Sequence, residues 1–132
     1  MEIGIDIEQN ERFKNISQKF IERAYTANEI AYAEKFVNKH EQYCSLWCVK
    51  EATVKAFSNL AIPFAEIEVQ ATSEGRPFIV KNETIKTNLA KLGFSEIKVS
   101  LSHSKDYSTA VVLIYWAKKD LTKRQVFLFV KF

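Results

Sequence analysis

The chain has 132 residues, of which 47% are hydrophobic and 27% charged, with a formal net charge of +3 at pH 7. This length fits a single domain with its own apolar core, and the presence of only 3 glycines and 2 prolines excludes collagen-like and low-complexity classes. The net charge is too small to indicate nucleic acid as a partner, and no apolar run is long enough to cross a bilayer. Met1 leads directly into a strand-like alternation rather than a signal peptide, so we expect a cytoplasmic protein.

The first predicted element is a strand over residues 2–8. Ile3, Ile5 and Ile7 alternate with polar residues, which is typical of a strand with one buried face. We expect the isoleucine face to pack against the core. The opposite face carries Asp6, which is then aimed away from that apolar layer.

Three helices are predicted next. Apolar residues at four-residue spacing indicate a short amphipathic helix over residues 15–24. Thr26, followed three residues later by Glu29, matches a capping box, so a second helix is expected to begin at Thr26 and to reach Val37. A third helix is predicted over residues 41–59.

The two cysteines lie in this third helix and form a four-residue series with His40. A metal site is excluded for His40, Cys44 and Cys48, because eight residues of helix rise about 12 Å and its ends cannot reach one ion. We expect both cysteines to be reduced, buried apolar groups. With Ala52 and Ala56 they make a stripe of small residues that lets the helix lie close to a sheet.

The second half of the chain changes from helical spacing to strand alternation. Residues 109–116 are so apolar that we expect a strand covered on both faces. The order of elements predicts an α+β fold with a small antiparallel sheet packed with helices. We expect residues 1–116 to form the domain and residues 117–132 to be a C-terminal extension of it. The predicted elements are a hairpin with strands at 67–71 and 78–80 and a turn at 73–77, a helix at 82–92 that Gly93 ends, and strands at 97–101 and 109–116.

One stripe of the third helix combines an aromatic ring, an acid and a base. Trp47, Glu51 and Lys55 are four residues apart, so their side chains share one face. A carboxylate there and Asp6 in the first strand can converge on one divalent cation, and Lys55 can meet a phosphate. The alternative is an exposed Glu–Lys ion pair worth about 0.2–0.5 kcal/mol, which Trp47 disfavours because a large ring needs burial or a ligand.

A second group of polar residues lies near the two hairpin turns. His103 stands between Ser102 and Ser104, and an imidazole, hydroxyls and backbone N–H groups together can bind phosphate. Gly75 and Pro77 are typical turn formers, although a glycine also allows a ligand to approach the backbone closely.

Taken in order, these motifs resemble the holo-acyl-carrier-protein synthase family, the small group I 4′-phosphopantetheinyl transferases. The resemblance covers residues 2–116, and the helix motif is its most diagnostic part. The matching segments are Gly4-Ile5-Asp6-Ile7 with Arg12-Phe13, Thr26-x-x-Glu29, Trp47-x-x-Lys50-Glu51-Ala52-x-x-Lys55-Ala56, Gly75-Arg76-Pro77 and Ser100-Leu101-Ser102-His103-Ser104.

The resemblance implies the phosphopantetheinyl transferase fold, a homotrimer with active sites between subunits, and an activity. Family members transfer 4′-phosphopantetheine from coenzyme A to a serine of apo acyl carrier protein in fatty acid biosynthesis, release adenosine 3′,5′-bisphosphate and need Mg²⁺. It implies Asp6 and Glu51 as magnesium ligands and Lys55 as a catalytic phosphate partner; the proton acceptor is Glu51 or a water on the metal. The residues that it implies at the coenzyme A site are Trp47, Lys50, Lys55, Gly75, Pro77, His103 and Ser104.

The family docks its acidic carrier protein through a basic, partly apolar first helix. The residues here that fit this description are Arg12, Phe13, Lys14, Lys19, Phe20 and Arg23, with the two arginines the best matches. One departure is Leu46, which stands where family members often carry an arginine that contacts coenzyme A. Three alternatives stay open: the same reaction on a specialised carrier, a non-catalytic carrier-binding module, and a coenzyme A-binding protein with another role.

Overall fold

The computed structural model describes residues 1–58 and 60–118, and within them it has the predicted α+β class. All of the predicted helices and strands in this part of the chain are present, and the predicted extension lies outside it from residue 119 onward. The strands are β1 (Glu2–Gln9), β2 (Val69–Ala71), β3 (Pro77–Ile79), β4 (Glu96–His103) and β5 (Tyr107–Tyr115), the helices are α1 (Gln18–Ala24), α2 (Ala27–Ala33), α3 (Lys39–Ala56) and α4 (Glu83–Lys91), and short 3₁₀ helices lie at Asn10–Phe13 and Phe64–Glu66.

Three strands form an antiparallel sheet in the order β1-β5-β4, and β2 pairs with β3 in a separate hairpin. Helix α3 crosses the sheet and packs mainly on β1 and β5. Its small side chains, Cys44, Cys48, Ala52 and Ala56, are all completely buried. The predicted close approach of this helix to a sheet is therefore confirmed.

The prediction that the isoleucine face of β1 packs on the core is wrong. Ile3, Ile5 and Ile7 are 64%, 63% and 61% exposed. The opposite face lies under α3 because it carries Gly4: a β-carbon there would overlap the carbonyl oxygen of Ala52 and lie 2.6 Å from the backbone nitrogen of Ala56. The strand therefore turns its smallest residue, and with it Asp6, toward the helix.

Smaller differences concern the ends of α2 and β4 and the burial of β5. Helix α2 begins after Thr26 with the predicted capping box but stops at Ala33. Strand β4 continues to His103, which is a strand residue rather than part of the turn. In β5 the residues facing α3 are buried, whereas the other face is only half-buried, so the described residues do not provide the predicted cover on both faces. None of the helices in the described part of the chain is long and apolar enough to span a bilayer.

Candidate active site

Asp6 lies where β1 passes under the C-terminal half of α3, and its two carboxylate oxygens have different surroundings. Oδ1 accepts a hydrogen bond from Lys55 Nζ at 3.0 Å, and the same ammonium donates to the carbonyl of Ile5 at 2.9 Å. Oδ2 is buried and has no hydrogen-bond partner among the described residues. Because a buried carboxylate oxygen without a donor is costly, this atom marks a place for a ligand.

The pKa of Glu51, which lies one turn before Lys55 on α3, depends in part on the charge of Asp6. Burial raises the pKa of Glu51, the negative charges of Asp6 and Glu8 raise it further, and the positive charge of Lys55 opposes them. The strand acid and the helix acid therefore lie close enough to repel one another, which is the arrangement that a shared cation relieves.

These two acids fit a magnesium ion. The described residues hold no group of three or more histidine, cysteine, aspartate and glutamate side chains that could bind a metal by themselves. Mg²⁺ suits such a site, since it is usually held by one or two carboxylates and completes its octahedron with phosphate oxygens and water. The buried, unpartnered Oδ2 of Asp6 is an oxygen of the kind that this ion prefers.

A cleft of about 270 Å³ connects Glu51 to the predicted carrier-docking residues. Trp47 stands at its centre, and its ring contacts those of Phe13 at 6.0 Å, Phe20 at 5.4 Å and Phe64 at 4.7 Å between centroids. Phe13 is buried and forms the floor of the cleft rather than its outer surface. The cleft is lined by Glu8, Arg12, Phe13, Ile16, Phe20, Trp47 and Glu51, and Arg23 lines a neighbouring depression beyond Phe20 and Trp47.

A larger groove of about 840 Å³ brings Gly75, Pro77 and His103 together. Gly75 has a φ of +86° in the tip of the β2–β3 hairpin, a conformation that favours glycine. Leu46 and Tyr32 also line the groove, and its lining within residues 1–58 and 60–118 includes no lysine, arginine, aspartate or glutamate. Ser104 follows His103 outside this wall, with its hydroxyl accepting from the backbone N–H of Tyr107 at 3.2 Å.

Within one chain, the predicted residues of the groove, Gly75, Pro77 and His103, do not meet Trp47 and Glu51 in the cleft. Helix α3 contributes Leu46 to the groove from one face and Trp47 and Glu51 to the cleft from another, and the two linings have no residue in common. Trp47 was predicted at the coenzyme A site with Gly75, Pro77 and His103, but the structure places it with the docking residues instead.

The prediction that Lys50 lines the coenzyme A site is wrong, because its side chain is completely buried. Its ammonium lies 2.7 Å from Glu29 Oε1 and donates to the carbonyls of Phe64 at 2.8 Å and Ile67 at 2.5 Å. Burial lowers the pKa of Lys50 despite the Glu29 charge. Glu29 Oε2 also accepts from the backbone N–H of Val69, so the pair ties α2, α3 and the start of the hairpin together.

The burial of Lys50 and that of Asn10 differ in whether the sequence indicates them. Lys50 is four residues from Leu46 and from Val54, so helical spacing places it on an apolar stripe. Asn10, 1% exposed, lies between Gln9 and Glu11 in a polar segment that gives no sign of burial.

Residues 2–119 match the 4′-phosphopantetheinyl transferase superfamily, so the chain belongs to that superfamily.

Among the superfamily, the chain is similar to holo-acyl-carrier-protein synthases. It is 36% identical to that of Ruminiclostridium cellulolyticum, over 86% of this chain and 91% of the relative, and 36% identical to that of Aquifex aeolicus, over 85% and 96%. It also superposes with a TM-score of 0.74 on the crystal structure of the Bacillus anthracis synthase in complex with CoA (3′,5′-ADP), at 27% identity over 88% of this chain and 96% of that one.

Proposed function

We propose that this enzyme transfers 4′-phosphopantetheine from coenzyme A to a serine hydroxyl of apo acyl carrier protein, in a Mg²⁺-dependent reaction that releases adenosine 3′,5′-bisphosphate. The observation that carries the proposal is the buried, unpartnered Oδ2 of Asp6 beside Glu51 and Lys55. The relatives named above support the two substrates. We also propose that the reaction serves fatty acid biosynthesis in the cytoplasm.

The mechanism follows from what the side chains of Asp6, Glu51 and Lys55 can do. Mg²⁺ held by Asp6 and Glu51 would neutralise charge on the coenzyme A diphosphate as its bond to the leaving phosphate breaks. Lys55, 52% exposed, can move its ammonium from Asp6 Oδ1 to a phosphate oxygen. The proton of the serine hydroxyl would pass to Glu51 or to a water bound to the metal.

The uncharged groove suits the adenosine end of coenzyme A. Gly75 allows the backbone to approach a ligand closely, and His103 supplies a donor for the 3′-phosphate from the wall of the groove. Ser104 would supply a second donor from just outside that wall. Leu46 leaves this wall without the arginine expected there. We therefore propose that His103 is the main contact of this groove with the 3′-phosphate.

We further propose that the enzyme is a homotrimer whose active sites form between subunits. The exposed stripe of Ile3, Ile5 and Ile7 is continued on β5 by Val111 and Leu113, which pair with Ile5 and Ile3. An exposed apolar patch of this kind is typical of a subunit interface. Assembly would also bring a neighbour's groove to the side chains of Asp6 and Glu51, which lie apart from the groove of their own chain.

The basic residues around the cleft suit an acidic carrier protein. Arg12 is 67% exposed in its side chain and pairs with Glu8 at 2.8 Å, and Arg23 flanks the aromatic surface of Phe20 and Trp47. Opposite charges mainly raise the encounter rate of two proteins. We expect Arg12→Glu to raise the KM for the carrier protein more than the KM for coenzyme A, measured by steady-state kinetics at low salt. Equal rises in both constants would contradict the docking assignment.

The deciding experiment is a mass measurement. Purified enzyme is incubated with apo acyl carrier protein, coenzyme A and Mg²⁺, and we expect the carrier to gain the mass of one phosphopantetheine arm. Asp6→Ala and Glu51→Ala should abolish the gain while both proteins keep their circular dichroism. Binding without any mass gain would favour the non-catalytic module or a coenzyme A-binding role, and modification restricted to a carrier from another pathway would favour the specialised enzyme.

A further inference from the structure

We propose that Asn10 is a positioning residue that holds His103 and Ser104 in place for the nucleotide end of coenzyme A. The inference rests on the proposed function of the groove. It concerns a residue that lies outside the cleft and the groove and acts through the turn between β4 and β5.

Asn10 binds three successive carbonyl groups of that turn. Its side-chain Nδ2 donates to the carbonyls of Ser104 and Lys105, both at 3.0 Å, and its backbone N–H donates to the carbonyl of Asp106 at 2.9 Å. The asparagine itself is 1% exposed, whereas these three turn residues are exposed. A buried amide therefore fixes the backbone of a solvent-facing turn.

The other side of the same amide is connected to the core. Asn10 Oδ1 accepts a hydrogen bond of 2.6 Å from Ser108 Oγ, and Ser108 Oγ lies 3.0 Å from Ser45 Oγ on α3. Since the one hydroxyl proton of Ser108 is directed to Asn10, Ser45 is the donor to Ser108. The turn is thus anchored through Asn10 to the helix that carries Glu51.

His103 precedes the anchored turn directly. It is the last residue of β4 and is paired with Ser108, the same residue that donates to Asn10. A backbone hydrogen bond from Ser104 to Tyr107 at 2.8 Å closes the turn onto the first residue of β5. Among the described residues, the hydrogen bonds to this turn from outside β4 and β5 come from Asn10. Asn10 therefore sets the direction of the turn, and with it the placement of the two phosphate donors.

The test replaces Asn10 by leucine, which is similar in size and has no donor. Losing a hydrogen bond worth about 1 kcal/mol corresponds to a change of about fivefold in an equilibrium constant. We expect the KM for coenzyme A to rise by about fivefold or more in Asn10→Leu, while kcat at saturating coenzyme A stays within about twofold of the parent value. Asn10→Ser is a second variant that keeps a polar group but does not reach the turn, and it should act in the same direction.

Two comparisons separate positioning from general destabilisation. Ile85→Val truncates a fully buried side chain of α4, away from the cleft and the groove, and should lower the melting temperature without raising the KM for coenzyme A. In the double variant Asn10→Leu/His103→Ala, the rise in KM should be smaller than the product of the two single rises, because Asn10 acts in part through His103.

The outcomes distinguish this inference from the proposed function. If His103→Ala leaves the KM for coenzyme A unchanged, both the assignment of the groove and the role of Asn10 are overturned. If His103→Ala raises the KM but neither Asn10 variant does so, only the role of Asn10 is overturned. Additive effects in the double variant would also overturn it, since they would show that the two residues act independently.

Discussion

At the residue scale, Asp6 shows how one side chain can be fixed and still remain available. Lys55 holds Oδ1 in place, while Oδ2 is buried without a partner. The carboxylate is thereby oriented before any ligand arrives, and half of its capacity to accept hydrogen bonds or bind a cation is kept free. The cost falls on Glu51, whose pKa is raised first by burial and next by the negative charge of Asp6.

This coupling predicts a change in the titration of Glu51. Asp6→Asn removes a negative charge that disfavours ionised Glu51, so the pKa of Glu51 should fall, although burial still holds it above its usual value. The measurement is the titration of the Glu51 side-chain carboxyl carbon by NMR, in protein without Mg²⁺. Glu83→Gln removes an exposed charge on α4 and should leave that titration as it is. A pKa that rises or stays constant in Asp6→Asn would contradict the proximity of the two acids.

At the element scale, the position of the two acids depends on how closely β1 lies under α3. Gly4 permits this approach because a side chain at that position would enter the backbone of α3 at Ala52 and Ala56. The fully buried stripe of small residues on the helix, which includes Cys44 and Cys48, contributes the other half of the contact. Any added volume at this contact separates the elements that carry Asp6 and Glu51.

Gly4→Ala should therefore reduce both stability and activity. Overpacking typically costs about 1–3 kcal/mol, and here the added carbon meets backbone atoms that cannot rotate away. Urea unfolding should show a lower midpoint, and kcat should fall because the acids move apart. The matched control is Gly93→Ala: its β-carbon meets nothing within 4 Å, but its φ is +80°, so it should lose stability through backbone strain and keep the kcat of the folded enzyme. Full activity in Gly4→Ala would contradict the argument.

Local patterns predicted the elements but not all of their surroundings. Alternation and four-residue spacing located β1 and α3, and they placed Glu51 and Lys55 on one stripe. Alternation gives the period of a strand but does not show which of its two faces the rest of the chain covers. The prediction therefore buried the isoleucine face of β1, whereas the structure buries the opposite face. Lys50 and Asn10 owe their burial to partners far away in the sequence, such as Glu29 for the lysine and Ser108 for the asparagine, and no local pattern reveals such partners.

At the scale of the whole molecule, the chain exposes an apolar surface, and its two candidate binding regions, the cleft and the groove, lie apart. The isoleucines of β1 face outward, and the cleft and the groove are lined from different faces of α3. Both features have the same explanation if neighbouring chains cover the sheet and join one chain's cleft to another's groove.

Ile5→Glu tests that explanation. A charge in the middle of the exposed stripe would be buried without a partner in the assembly, which is strongly unfavourable. We expect sedimentation to show monomers where the parent protein forms trimers, and turnover to be lost although the circular dichroism is unchanged. Ile5→Val keeps the apolar surface and should retain both assembly and activity. A parent protein that sediments as a monomer at working concentrations, or an active trimer in Ile5→Glu, would contradict the model of shared sites.

The two cysteines of α3 can be used to measure how often this helix separates from the sheet. Both thiols are completely sealed between the helix and the sheet, and the pKa of Cys48 is raised, mainly by its contact with Cys44 and by burial. A maleimide can therefore modify them only when the helix lifts away from β1 and β5, so the labelling rate measures how often that separation occurs. The same event pulls Asp6 and Glu51 apart, and coenzyme A with Mg²⁺ should slow the labelling by favouring the closed form.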